Sequence, residues 1–110
     1  MTDNYSRIVV WGNANPYIFR DISFDEYQMY KISGDYECIM FLIEINRSYK
    51  GHRLDGPAKE FSTGKKVWMQ YGMVHNDEGP AIVDPEKKMM WWFKHGKCVT
   101  GRKLETYRTI

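Results

Sequence analysis

Apolar and polar positions in this chain group into short strand-like runs separated by turn formers, and one stretch alone carries a helical signature. Arg7-Ile8-Val9-Val10-Trp11 is a β-branched and aromatic run closed by Gly12-Asn13, which predicts a strand and a turn. Asn15-Pro16 prolongs the irregular stretch. Ser23-Phe24-Asp25-Glu26 has the form of a capping box, and Phe24, Tyr27 and Tyr30/Lys31 share one helical face, so a short helix from about Phe24 to Ile32 is expected. The competing reading makes Tyr27 to Ile32 a strand that turns at Gly34-Asp35, because glycine at the first central position suits a type II′ hairpin. Tyr36 to Ile45 is clearer. Its core, Cys38-Ile39-Met40-Phe41-Leu42-Ile43, is continuously apolar, as expected of a strand covered on both faces, and should be the most buried of the chain.

Beyond residue 50 the pattern repeats. His52-Arg53-Leu54-Asp55-Gly56-Pro57-Ala58 returns as His75-Asn76-Asp77-Glu78-Gly79-Pro80-Ala81, an offset of 23 residues that Trp68 and Trp91 also keep. A period in the twenties with turn residues at fixed places marks stacked supersecondary units, none of which can bury an apolar face alone. Gly56-Pro57 and Gly79-Pro80 suit a chain reversal that opens a strand, since proline is tolerated at a first strand position. Each unit then reads as one β-hairpin. Ala58 to Phe61 goes out, Ser62 to Lys65 forms the tip and Lys66 to Tyr71 returns to Gly72; Ala81 to Val83, Asp84 to Lys87 and Met89 to Phe93 repeat the course before His95-Gly96. Gly72 and Gly96 lie 24 residues apart, so one residue is inserted in the longer second tip. Lys97-Cys98-Val99-Thr100-Gly101 lacks both the His and the Gly-Pro-Ala and reads as a terminal cap.

The expected fold is therefore mainly β, α+β at most: an antiparallel sheet of tandem hairpins with one short helix or loop segment near the start. One domain spans 1–110, with a leading segment over 1–50, the hairpin repeats over 51–100 and a cap and tail over 101–110. The 43% hydrophobic content of a 110-residue chain suffices for a real core.

Composition narrows the function classes. The longest apolar run is too short to cross a bilayer and the first residues lack a basic, apolar leader, so a cytoplasmic protein without membrane contact is expected. The cysteines, Cys38 and Cys98, lie outside any zinc spacing and are expected to be reduced thiols. Residues 1–45 hold three basic side chains against seven acidic ones, whereas residues 46–110 hold thirteen against seven. The repeat half is thus basic, which admits an anionic partner. No phosphate loop, nucleophile elbow or close acid/base constellation is present, so neither catalysis nor a cofactor is expected.

Three residue sets carry the candidate chemistry. His52, His75 and His95 invite a metal reading with Asp55, Asp77 or Glu78, but hairpins spaced by about 10 Å hold successive His residues apart. No metal is expected. His52, Asp55, Gly56, Pro57, His75, Glu78, Gly79 and Pro80 read as structural, with the imidazoles bonding turn backbone or the acid of their own motif. Trp68, Tyr71, Trp91, Trp92 and Phe93 form the richest aromatic set, and strand alternation forces Trp91 and Trp92 onto opposite faces. Lys65, Lys66, Lys87 and Lys88 put paired charge beside each tip, suited to phosphate contact or to blunting a sheet edge.

At these residues the chain resembles a known repeat. His-x-x-Asp-Gly-Pro-Ala, a Gly-centred tip and Trp-x-x-x-Gly-x-x-His are similar to the MORN-like repeats of bacteriophage and giant-virus proteins, over about residues 51–100, with Glu78 departing from the motif's Asp. The resemblance implies a meander of hairpins serving as an interaction platform. From it follows the expectation of a small phage-type module that binds a host protein in the host cytoplasm and modulates or inhibits it, as in host-defence inhibition. A nucleic-acid-binding role for the basic, aromatic half is the alternative, and a homo-oligomer through a free hairpin edge is a further option.

Overall fold

The computed structural model describes residues 4–12 and 18–103. The irregular stretch expected around Asn15-Pro16 and the tail beyond Lys103 lie outside them. Among the described residues the order is β1 (Arg7–Gly12), β2 (Ile18–Asp21), α1 (Phe24–Ser33), β3 (Cys38–Ile45), β4 (Ser48–Gly51), β5 (Lys59–Phe61), β6 (Lys66–Val67), β7 (Met69–Gln70), β8 (Met73–Val74), β9 (Ile82–Asp84), β10 (Met89–Lys94) and β11 (Lys97–Lys103). The expected mainly-β class holds. One antiparallel sheet runs β11-β10-β9-β6-β5-β3-β1-β2, β4 pairs with β3, and β7 with β8 form a small second ladder. Among the described residues no helix is long and apolar enough to cross a membrane.

The helix reading of residues 24–32 is the one realised, and its termini explain why. Ser23 caps it as read from the sequence, its hydroxyl accepting from the Glu26 amide while the Glu26 carboxylate accepts from the Ser23 amide. Gly34 closes it in the left-handed region at φ 72°, which glycine adopts without strain. The alternative strand is defeated by this local chemistry at both ends.

Register sorts side chains onto two faces. Ile8 lies opposite Phe41 and Val10 opposite Ile39, so these four share one face, and α1 lays Tyr27 over them together with Ile22 to form the core. Tyr5 and Tyr27 each meet the Phe41 ring edge-on, at 4.8 and 5.0 Å between centroids. β3 is buried at Cys38, Ile39 and Phe41, which are wholly inaccessible, but it is not the most buried strand as expected: its second half is only partly covered, whereas four of the six residues of β1 are buried.

The repeat is real in three dimensions, but its frame differs from the sequence alignment. Trp68 donates its amide to the Ala81 carbonyl and its carbonyl accepts from the His75 amide; Phe41 makes the same pair with Ala58 and His52. Phe41 is thus the counterpart of Trp68. Val67 accepts from the Ala58 amide and Trp91 from the Ala81 amide, so Trp91 corresponds to Val67 and the counterpart of Trp68 is Trp92. The residue inserted in the second tip shifts everything after it by one, and the 23-residue match of Trp68 with Trp91 is a coincidence of spacing. The repeat also begins earlier than residue 51, since β3 and β4 form its first hairpin.

The return strand expected over Lys66 to Tyr71 divides at Trp68, whose amide and carbonyl bond away to Ala81 and His75, and it stops before Tyr71. Tyr71-Gly72, like Asn46-Arg47 and His95-Gly96, is a two-residue turn with both φ positive, the combination that matches the twist of a tight hairpin. Lys97–Lys103 is a full strand, paired with β10 and exposed throughout.

Candidate functional site

Each buried imidazole ties one unit to the next. Nδ1 of His52 accepts from the Tyr71 amide and Nδ1 of His75 accepts from the His95 amide, both at 2.9 Å. The ring of the turn residue then lies against the imidazole, at 4.2 Å for Tyr71 on His52 and 4.3 Å for His95 on His75. Both imidazoles thus bond turn backbone, but in the turn of the following unit rather than beside their own motif. Nε2 of His75 also lies 3.1 Å from Asp77, whose carboxyl is held below its ordinary value by that contact and by Lys94. Among the described residues no third imidazole follows: Thr100 stands opposite Trp92, the place that His75 takes opposite Trp68, and Val99 lies at the register shift.

The loops that follow the histidines do different work. In the first, Arg53 donates to the Pro57 carbonyl at 3.3 Å, to Asp55 at 3.0 Å and to Glu60 at 3.2 Å, while its guanidinium covers the Phe41 ring at 4.0 Å. Glu60 is buried and accepts in addition from Lys31 at 2.7 Å and from the Tyr27 hydroxyl. Burial opposes the charge on Lys31 and on Arg53, but their partners outweigh it and hold both cations above their ordinary values. Burial, then the neighbouring carboxylate, keeps Tyr27 protonated. This network fastens α1 to the first hairpin. In the second loop Asn76 stands for Arg53 and closes on the Pro80 carbonyl at 2.9 Å, but Val83 stands for Glu60, so nothing there receives a helix.

The candidate binding residues are divided by the sheet. Trp68 and Trp92 continue the row begun by Phe41 on the helix side, while Trp91 lies on the reverse face over Gly101 and Phe93 sits at a register shift in β10. The opposed faces expected of Trp91 and Trp92 are observed; both indoles are half-buried, and Arg102 stands 5.7 Å over Trp92. Tyr71 is exposed at the turn end. Lys65, Lys66, Lys87 and Lys88 gather at the opposite end, about 15 Å away along the strand, where Gly64 of one tip packs against Pro85 of the next. They are not adjacent to the exposed Tyr71.

A groove of about 220 Å³ opens beside Trp68, lined by Arg53, Leu54, Gln70, His75, Asn76, Asp77 and Glu78. Sequence reasoning reached Trp68, His75 and Glu78 but passed over Arg53 and Asn76. The signal was the mismatch between the two copies at that position. Comparison with family models, curated proteins and solved structures returns no match to this chain.

Proposed function

We propose that this chain is a non-catalytic protein-binding module, a small MORN-like phage-type protein that docks on a host protein and modulates or inhibits it. The observation that supports it is the aromatic row Phe41, Trp68, Trp92: α1 covers the first, while Trp68 remains partly open beside a polar groove and Trp92 partly open beneath Arg102. Half-buried tryptophans on a rigid sheet supply large contact area at low entropic cost, which is how interface anchors work. The host partner comes from the resemblance of the repeats to those of viral proteins. Immobilised protein should retain a specific host protein from an extract at moderate salt, and Trp92→Ala, with its thermal midpoint unchanged, should lose at least about tenfold in retention. Recovery of nucleic acid alone would reject the reading.

The gathering of Lys65, Lys66, Lys87 and Lys88 at the touching tips favours a second reading, phosphate contact with a nucleic acid. Such binding should collapse between low and moderate salt, whereas an aromatic protein interface changes far less.

A further inference from the structure

The two loops differ by one cation. In the first unit an aromatic ring, a guanidinium and a carboxylate form a closed set, Phe41, Arg53 and Asp55. Their counterparts are Trp68, Asn76 and Glu78. Asn76 keeps the loop-closing bond to Pro80 but ends short of the ring, and the vacated space is part of the groove beside Trp68. No hydrogen bond or ion pair engages the Glu78 carboxylate among the described residues; only its backbone amide is used, donating to Asn76. The third ring of the row, Trp92, has Arg102 above it, which leaves Trp68 as the member of this row without a guanidinium over it among the described residues.

We propose that the groove over Trp68 receives an arginine side chain of the protein partner, stacked on the indole and paired with Glu78. This deepens the protein-binding reading and rests on it. Charges around the groove fit such a guest. Arg53 is compensated by Asp55 and Glu60, Lys94 by Asp77, and Glu78 is the one charge left over. Gln70 lines the same groove and offers a carbonyl to the remaining guanidinium donors. An arginine suits the place better than a lysine, because a planar guanidinium stacks on an indole and forks onto a carboxylate. In the first unit Arg53 lies over the Phe41 ring and donates to two carboxylates, Asp55 and Glu60.

The test uses the intact chain and N-acetyl-arginine amide, with N-acetyl-citrulline amide as the uncharged isostere, followed through the indole N–H resonance of Trp68, assigned with Trp68→Phe. The arginine probe should move that resonance saturably and bind at least about threefold more tightly than citrulline, and Glu78→Gln should weaken it by about three- to tenfold. Asn76→Arg should abolish the response by filling the groove from within. Equal response to both probes, no saturation by about 50 mM, or insensitivity to Glu78→Gln would overturn the proposal, and these arms decide it even if Asn76→Arg fails to fold. The two readings fail separately. Partner capture that ignores Glu78→Gln would sink only the arginine receptor, whereas a saturable arginine response without any captured protein would count against the host-protein reading alone.

Discussion

Cys38 and Cys98 carry the same thiol into opposite settings. Cys38 has no accessible surface, and burial pushes its thiol up to about 12 from an ordinary value of 9.0, with Lys59 only partly offsetting. Cys98 is exposed on β11. The thiolate is the reactive form, so alkylation at pH 8 should modify Cys98 and leave Cys38 intact until the chain is unfolded, as mass spectrometry of the labelled protein would show. Rapid double labelling in native buffer would contradict the burial of β3. Linkage gives the same group a sign: its folded value is raised, so its contribution is fully present below about pH 9 and is lost as pH climbs from there toward 12. The apolar run around Cys38 made this burial legible from the chain. The roles of Arg53 and Asn76 were not, because what separates them is the presence of Glu60 and Tyr27 within reach of one and not the other, a matter of distance across the fold.

At the scale of elements, α1 is held by its caps and by one buried carboxylate. Ser23→Ala removes one cap and should cost about 1 kcal/mol in urea denaturation. Glu60→Gln strips the charge that balances Arg53 and Lys31 while keeping the shape, and should cost about 3 kcal/mol, with amide exchange in α1 rising more than in β9 or β10. A loss no larger than the roughly 0.5 kcal/mol of a surface substitution would mean that apolar contact with Phe41 alone retains the helix. The capping box was readable because it depends on residues three apart. The hairpin at Asn46-Arg47 escaped notice for want of a glycine: asparagine tolerates the left-handed region, but Arg47, at φ 66°, gives no local hint of it. Missing that turn hid the first unit of the array within the leading segment.

Across the whole molecule, β11 is the outermost strand of the tandem array among the described residues. Every residue of that strand is exposed, and Lys97, Arg102 and Lys103 stud it. Charged side chains on a terminal strand discourage pairing with a second copy, so replacing Lys97 and Lys103 by valine should produce larger species in light scattering at a concentration where the intact chain is unchanged. An intact chain that already associates would show instead that the edge is in use between copies. Stacking itself depends on the imidazoles, since each accepts from a turn of the next unit. Opposite Trp92, where a third imidazole would fall, stands Thr100, and the ladder to β10 shifts register beside it.

Local features of the chain, the alternation of residue types, the Gly-Pro reversals and the Ser23 cap, determined by themselves that it forms short antiparallel strands, one helix and a tandem array. These depend on neighbours within a few positions, whose conformational preferences act before any long-range contact is made. The tertiary structure alone decided which aromatic residues are equivalent, because equivalence follows the ladder of backbone hydrogen bonds and an inserted tip residue shifts that ladder against the sequence. It also decided that Arg53 is held over Phe41 within a buried network, since α1 brings Tyr27 and Lys31 across the sheet to the Glu60 carboxylate that Arg53 pairs with.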